Sequence, residues 1–313
     1  MRIVALVSGG IADQILFFPT LDNLKRNFNT HKIDVVCDTS SKAAYRVSKS
    51  VDEVLGFNFK DRNSMADWGN LIGMIRDREY DIAITPSQSW FTALMLWLSG
   101  IKTRVGFEGN NSLFFNRVVP LNTEQYAAYA YHDLLQRLGI NSSCPELALN
   151  VPKPDIDWAT SEQLRLEVKD TGYILVYGSS VDADTIYPAR NWLSIVQDFR
   201  EKQPDMPVVV ISQPDNQDLV RTLKQAVPDI KETFPDNIGK LAATIAGANL
   251  MLSTNSTSMQ LAVAVQTYTI ALFGSSEPRK LLPQSDKFLA IKSPTGIISD
   301  IAPATVLEKI WQG

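Results

Sequence analysis

The sequence predicts a doubly wound α/β protein of two domains that face each other across a cleft. Strand-like and helix-like segments alternate along both halves of the chain. A proline-rich stretch without periodicity separates the halves. The length, 313 residues, is that of two domains at a prior of about 150 residues each.

In the first half, residues 3–7 are a continuous apolar run ending in Ser8-Gly9-Gly10, the pattern of a central strand. Over residues 13–28, Leu16, Phe17, Leu21 and Leu24 recur at helical spacing. Residues 33–37, 51–57, 81–85 and 104–107 read as further strands. Residues 68–76 and 89–98 read as helices, the second of them buried, and residues 125–138 as a helix that Gly139 ends. Residues 141–154 contain Pro145, Pro152 and Pro154 and read as the linker, which divides the chain into domains 1–150 and 151–313.

The pattern then restarts. Strands are expected at residues 173–177, 208–212, 250–253 and 267–273. Helices are expected at 190–199, 219–226, 238–246, 256–265 and 306–311.

Composition narrows the function. Hydrophobic residues make up 45% and charged residues 20%, which suits two apolar cores in a soluble protein. A net charge of −4 argues against nucleic acid, whose binders carry a basic field. Cys37 and Cys144 read as two free thiols of a reducing, cytoplasmic compartment. The N-terminal apolar run and residues 90–98 are too short to span a bilayer, and no signal-peptide cleavage pattern follows the first strand.

Ligands of doubly wound sheets bind beyond the carboxyl ends of the strands, so four loops there are candidates. The first is Ser8-Gly9-Gly10-Ile11-Ala12-Asp13-Gln14, at the end of the first strand and opening a helix. Glycines let the backbone turn sharply, and Asp13 serves either as a general base on an acceptor hydroxyl or as a helix N-cap. The second is Gly178-Ser179-Ser180, either phosphate donors or an ordinary turn, with the acidic Asp182-Ala183-Asp184 just beyond. The third is Ser253-Thr254-Asn255-Ser256-Thr257-Ser258-Met259-Gln260, whose hydroxyls and amides crowd a helix N-terminus suited to an anion. The fourth, Phe273-Gly274-Ser275-Ser276, lines a base or sugar pocket or makes a tight turn. His31 and His132 are the only histidines, and with two cysteines at unsuitable spacing they build no metal cluster. His132 reads as structural or surface. Trp90, Phe91 and Trp97 read as core, and Phe57, Phe59, Lys60 and Arg62 as a solvated loop.

Four stretches in this order resemble the ADP-heptose:lipopolysaccharide heptosyltransferases, glycosyltransferase family 9. They are the opening strand with its small-residue loop, Asp13 and Phe18-Pro19-Thr20-Leu21; Cys144-Pro145-Glu146-Leu147; Tyr187-Pro188 through Trp192; and residues 252–265 with Leu272-Phe273-Gly274 and Glu277-Pro278. The resemblance spans nearly the whole chain. It implies the B-type glycosyltransferase fold of two Rossmann-like domains, with Asp13 as the base. Ser179, Ser180, Asn255, Ser256, Thr257 and Gln260 would hold the donor's diphosphate, and Gly9, Gly10, Gly274 and Ser275 would lie in the surrounding loops. It implies no metal and no cofactor. The partners would be a nucleoside diphosphate sugar, ADP-linked by preference, and a lipid-linked glycan acceptor reached by peripheral contact at the inner face of the cytoplasmic membrane.

The chain also departs from the family pattern. Ala12 stands for the glycine before the aspartate. Asn255-Ser256-Thr257 replaces an Asp-Thr-Gly type turn, and Gln260 replaces a histidine. Thr185 replaces a basic residue before the Tyr-Pro pair, and Gly274-Ser275-Ser276 replaces a Gly-Pro-Thr type turn. Each lost charge-assisted hydrogen bond is worth roughly 1.5–3 kcal/mol. A second function is therefore a binding partner or regulator that kept the fold and lost turnover. A third, a sugar-nucleotide epimerase, calls for cleft histidines that this chain is short of.

Overall fold

The computed structural model describes residues 1–28, 31–59, 64–178 and 186–312. The chain divides into two compact units, Met1–Asn150 and the remainder from Val151 onward.

In the first unit, β1 (Arg2–Val7) is followed by α1 (Ile11–Asn27), β2 (Lys32–Cys37), β3 (Glu53–Gly56), α2 (Met65–Asp77), β4 (Ile82–Ile84), α3 (Trp90–Leu98), β5 (Thr103–Phe107), β6 (Arg117–Val119) and α4 (Ala127–Asp133). The strands pair in parallel in the order β3-β2-β1-β4-β5-β6. Ile3 to Val7 are buried because helices cover both faces of a parallel sheet, which is why the strand reads as an unbroken apolar run. A 3-10 turn at Leu134–Leu138 extends α4, and Gly139 ends it in the left-handed region at φ +82°.

The second unit repeats the plan. It contains α5 (Lys153–Arg165), β7 (Ile174–Tyr177), α6 (Ala189–Lys202), β8 (Val208–Ile211), α7 (Gln217–Ala226), β9 (Lys231–Thr233), α8 (Ile238–Ala246), β10 (Leu250–Thr254), α9 (Thr257–Ala264), β11 (Thr269–Phe273), α10 (Pro278–Leu281), β12 (Phe288–Lys292) and α11 (Pro303–Gln312). The strand order is β12-β11-β10-β7-β8-β9, again parallel throughout. The expected doubly wound α/β class is found in both halves.

The differences have local causes. Helix α5 begins inside the stretch read as linker. Pro154 lies in its first turn, where a residue without an N–H costs nothing, so this proline opens a helix. Strands β6 and β9 are three-residue edge strands, and Lys231-Glu232-Thr233 carries no apolar alternation to reveal it. Helix α3 is not buried throughout. Trp90 and Trp97 are 57% and 51% exposed, so neither is core.

Candidate functional site

A doubly wound sheet opens a crevice where its strand order reverses. That point lies between β1 and β4 in the first sheet and between β10 and β7 in the second. The loop leaving β1 carries Gly9 and Gly10, and the loop leaving β10 carries Asn255 and Ser256. Because Ser253 pairs with Tyr177, the chain leaves β10 and β7 at neighbouring points, and Gly178 is the first residue beyond β7. Ser179, Ser180 and Thr185 lie outside the described residues.

The β1 loop is tightly built. Gly9 has φ +116°, and a side-chain Cβ there would fall 2.3 Å from Asp13 Oδ2. Asp13 is not the N-cap of α1. Gly10 holds that place, and Asp13, at the third helical residue, folds back so that its Oδ2 accepts the Gly10 N–H at 2.8 Å. Gln14, fully buried, donates to the carbonyls of Val7 and Gly9 at 3.1 and 3.3 Å and accepts from the Tyr45 hydroxyl at 2.7 Å. Ser41 Oγ donates to the Gly9 carbonyl at 2.8 Å, and the Gly9 N–H donates to Asp38 Oδ2 at 2.9 Å. Burial, and then the negative charge of Asp13, push the Tyr131 phenol up to about 12, so a protonated hydroxyl accompanies the carboxylate.

Gly9→Ala is expected to lower stability by about 1–2 kcal/mol from the left-handed backbone alone. It should also displace Asp13, whose carboxylate occupies the Cβ position. Thermal unfolding checks the first effect, and the loss of whatever activity Asp13 supports checks the second.

At the head of α9, Asn255, Ser256 and Thr257 are half-buried. Ser256 is the N-cap. Its Oγ accepts the Met259 N–H at 3.4 Å and lies 3.1 Å from Ser253 Oγ, while the Asn255 N–H is held by the Leu272 carbonyl at 3.0 Å. The N–H groups of the first turn of a helix lack intrahelical partners and present a partial positive charge there. Gln260 does not join them. It is 1% exposed and donates from Nε2 to the Leu281 carbonyl at 2.8 Å, tying α9 to α10 from beneath.

The β11 loop stands one strand from the reversal. Gly274 is buried against the Gly296 carbonyl, 3.0 Å from where a Cβ would sit, and Ser275 is exposed. Gly178 crosses Trp192, whose Nε1 would lie 2.3 Å from a Cβ, and Trp192 packs edge-on against Tyr187 with ring centroids 5.1 Å apart. Both rings are buried, so this part of the sequence pattern is core.

His132 is structural. It is 5% exposed, and its Nε2 lies 2.6 Å from Asn23 Nδ2, which also donates to Ser142 Oγ at 2.8 Å. With an amide nitrogen facing it, Nε2 accepts, so the ring is neutral. Burial lowers its pKa, partly opposed by Asp133. The unfolded chain therefore binds this proton more readily than the folded one. The His132 contribution is complete above the unfolded value of about 6.5 and shrinks as pH falls from there towards the lower folded value. Thermal melts across that range should show the loss, and His132→Asn should flatten it.

Both thiols are free. Burial, assisted by Asp38 and Asp133 respectively, pushes Cys37 and Cys144 up to about 12, which leaves neither nucleophilic at neutral pH. Phe57 and Phe59 are not a solvated loop. They pack at a tilt against Trp68, with ring centroids 4.5 and 6.5 Å away, and Trp68 meets Phe91 at 4.3 Å. Lys60 and Arg62 lie outside the described residues. Among the described residues, no group of three or more His, Cys, Asp or Glu side chains is placed to hold a metal, and no helix is long and apolar enough to cross a membrane.

Asp38, Ser41 and Tyr131 are absent from the sequence-based site, while Gln14 closes its first loop. Local signals mark Gln14 and Asp38. Gln14 interrupts an apolar helical face, and Asp38 directly follows an apolar strand.

Comparison with known proteins adds three findings. The family described as Glycosyltransferase family 9 (heptosyltransferase) matches residues 68–309. Lipopolysaccharide heptosyltransferase 3 of Escherichia coli is 23% identical over 287 residues, covering 85% of this chain and 81% of its own. The Photosynthetic NDH subunit of subcomplex B 1, chloroplastic, of Arabidopsis thaliana is 24% identical over 336 aligned positions, covering 97% of this chain and 72% of its own. The solved structure of E. coli ADP-heptose lps heptosyltransferase II superposes with a TM-score of 0.79 at 17% identity, over 100% of this chain and 98% of that one, a likeness of fold.

Proposed function

Because the chain belongs to glycosyltransferase family 9, the heptosyltransferase family, we propose that it moves a heptose-like sugar from a nucleoside diphosphate to a glycan acceptor, with inversion and without a metal ion. Its two doubly wound units are the B-type glycosyltransferase architecture. The observation that carries the reading is the pair of loops at the strand-order reversals. One fixes a carboxylate, Asp13, at the head of α1, and the other places Asn255 and the hydroxyls of Ser256 and Thr257 at the head of α9.

In this reading Asp13 takes the proton of the acceptor hydroxyl as its oxygen attacks the anomeric carbon. One C–O bond forms as the bond to the diphosphate breaks, which inverts the centre. The negative charge that grows on the leaving diphosphate is met by the first-turn N–H groups of α9 and by Asn255, Ser256 and Thr257. Ser179 and Ser180 are assigned to the same group by resemblance. Gln260, buried and bonded to the Leu281 carbonyl, would support the helix head from within. An ADP-linked donor is favoured because the heptosyltransferase II structure carries ADP-heptose in its name. The name of the E. coli relative, Lipopolysaccharide heptosyltransferase 3, supports a lipopolysaccharide-type acceptor, and the family resemblance would put that acceptor on a lipid at the inner face of the cytoplasmic membrane. The exposed Trp90 and Trp97 would make the peripheral contact.

Calorimetry with ADP, UDP, GDP and their sugars tests the reading. Binding of an ADP-linked sugar is expected, and a failure of every nucleotide to bind at millimolar concentration sinks it. A second reading has its own support. The Arabidopsis relative, aligned over 97% of this chain, is named as a subunit of an assembly. A member that kept the fold and lost turnover would act as a partner, in which case Asp13→Ala leaves the cell unchanged while deletion of the protein does not.

A further inference from the structure

Beyond β2, against the Gly9–Gly10 turn, lies a cavity of about 340 Å³. Its walls are Gly9 and Gly10, the Asp38 carboxylate, the hydroxyls of Thr39 and Ser40, and Asn58. That volume falls within the range of small-ligand pockets, about 300–1,000 Å³. Asp38 is only 9% exposed, and both its oxygens are fixed by backbone. Oδ2 accepts the Gly9 N–H at 2.9 Å and Oδ1 accepts the Phe59 N–H at 2.8 Å. Two of about four acceptor positions are thereby used, which leaves the rigid carboxylate able to accept from a ligand through both oxygens. Asn58 Oδ1 accepts the Thr39 N–H at 3.0 Å, which holds the opposite wall.

This chemistry selects a ligand class. A carboxylate repels a phosphate, so the cavity does not hold a second anion. One carboxylate among hydroxyls is a poor cation cage. Paired acceptors fixed in space, with hydroxyls that both donate and accept beside them, match two neighbouring hydroxyls of a sugar ring. A carboxylate just past the second strand of a doubly wound unit holds ribose hydroxyls in dinucleotide-binding folds for the same geometric reason. The turn that separates Asp38 from Asp13 has no side chain at either residue, so a ring can lie flat on it.

We infer that this cavity is the polyol subsite of the acceptor. Two adjacent ring hydroxyls donate to Asp38, Thr39 and Ser40 complete the contacts, and the ring rests on Gly9–Gly10 with a further hydroxyl directed to Asp13. The inference rests on the sugar-transfer reading, and it adds the group that orients the acceptor.

Saturation-transfer NMR on the full chain tests it, with methyl α-mannopyranoside and its 2,3-di-O-methyl ether as probes. The ether keeps the ring and the remaining hydroxyls but cannot donate from the diol. The glycoside is expected to bind weakly, and the ether about tenfold or more weaker, as the loss of hydrogen bonds to a charged group requires. Asp38→Asn should weaken the glycoside similarly. Because Asp38 also holds the turn, a second variant is needed. Ser40→Trp fills the cavity and leaves the Gly9 and Phe59 bonds intact, so it should abolish glycoside binding while nucleotide binding persists. Equal binding of glycoside and ether, binding that survives Ser40→Trp, or no glycoside binding in protein that binds a nucleoside diphosphate each overturns the inference. Failure of the nucleotides alone overturns the sugar-transfer reading, and the glycoside result then still decides whether the cavity takes a diol.

Discussion

Asp13→Asn is expected to lower kcat for sugar transfer by about 10²–10⁴-fold, the usual contribution of a positioned general base, with thermal stability and donor affinity close to those of the native protein. The reason for asparagine lies in the double role of this side chain. Asp13 Oδ2 accepts the Gly10 N–H and closes the first turn of α1. An asparagine carbonyl can accept the same bond but cannot take a proton from an acceptor hydroxyl. Asp13→Ala removes both functions and should cost up to about 1 kcal/mol of stability as well. Steady-state kinetics and melting curves for the two variants therefore separate base from cap. If transfer falls in Asp13→Ala and is retained in Asp13→Asn, the residue acts only as a cap and another group takes the proton.

The same residue shows how far a sequence reveals a site. Asp13 is visible because it follows an apolar strand and a glycine turn, both local features. The residues that hold that turn are not local. Asp38 reaches Gly9 across 29 positions, and Ser41 across 32, because β2 pairs with β1. Strand pairing must be known before such a contact can be read. The parallel core is legible for the opposite reason. β1 and β11 are covered on both faces and appear as apolar runs over residues 3–7 and 270–273. β9 has no such signature, since an edge strand needs only one buried residue, here Thr233. Trp90 and Trp97 illustrate a further limit. Apolar type at helical spacing announces a buried face, yet in α3 it is Thr92, Ala93, Met95 and Leu96 that are buried while the two indoles face outward. Gln260 lies three residues past the helix head in sequence. One turn of helix carries it to the α10 side.

Ser256→Asp is expected to weaken donor binding by about 10²-fold or more and leave the fold undisturbed. Aspartate is as good an N-cap as serine, and a carboxylate at a helix head interacts favourably with the helix dipole, so α9 should be at least as stable as before. A diphosphate at that head would meet a like charge in place of a hydroxyl. At about 4 Å and an effective dielectric of about 20, two unit charges repel by about 4 kcal/mol, and partial exposure of Ser256 reduces this to the order of 3 kcal/mol. Titration of native and variant protein with the nucleoside diphosphate measures the effect, and its decline with added salt identifies it as electrostatic. Thr257→Val is the complementary change. It removes a hydroxyl without adding charge and should cost less, near the value of a single hydrogen bond, about 1 kcal/mol. A donor that binds Ser256→Asp as tightly as the native protein is not held at the head of α9. The replacement of an Asp-Thr-Gly type turn by Asn255-Ser256-Thr257 would then mark the loss of a donor site, and the fold would persist in this chain for the surface it offers a partner.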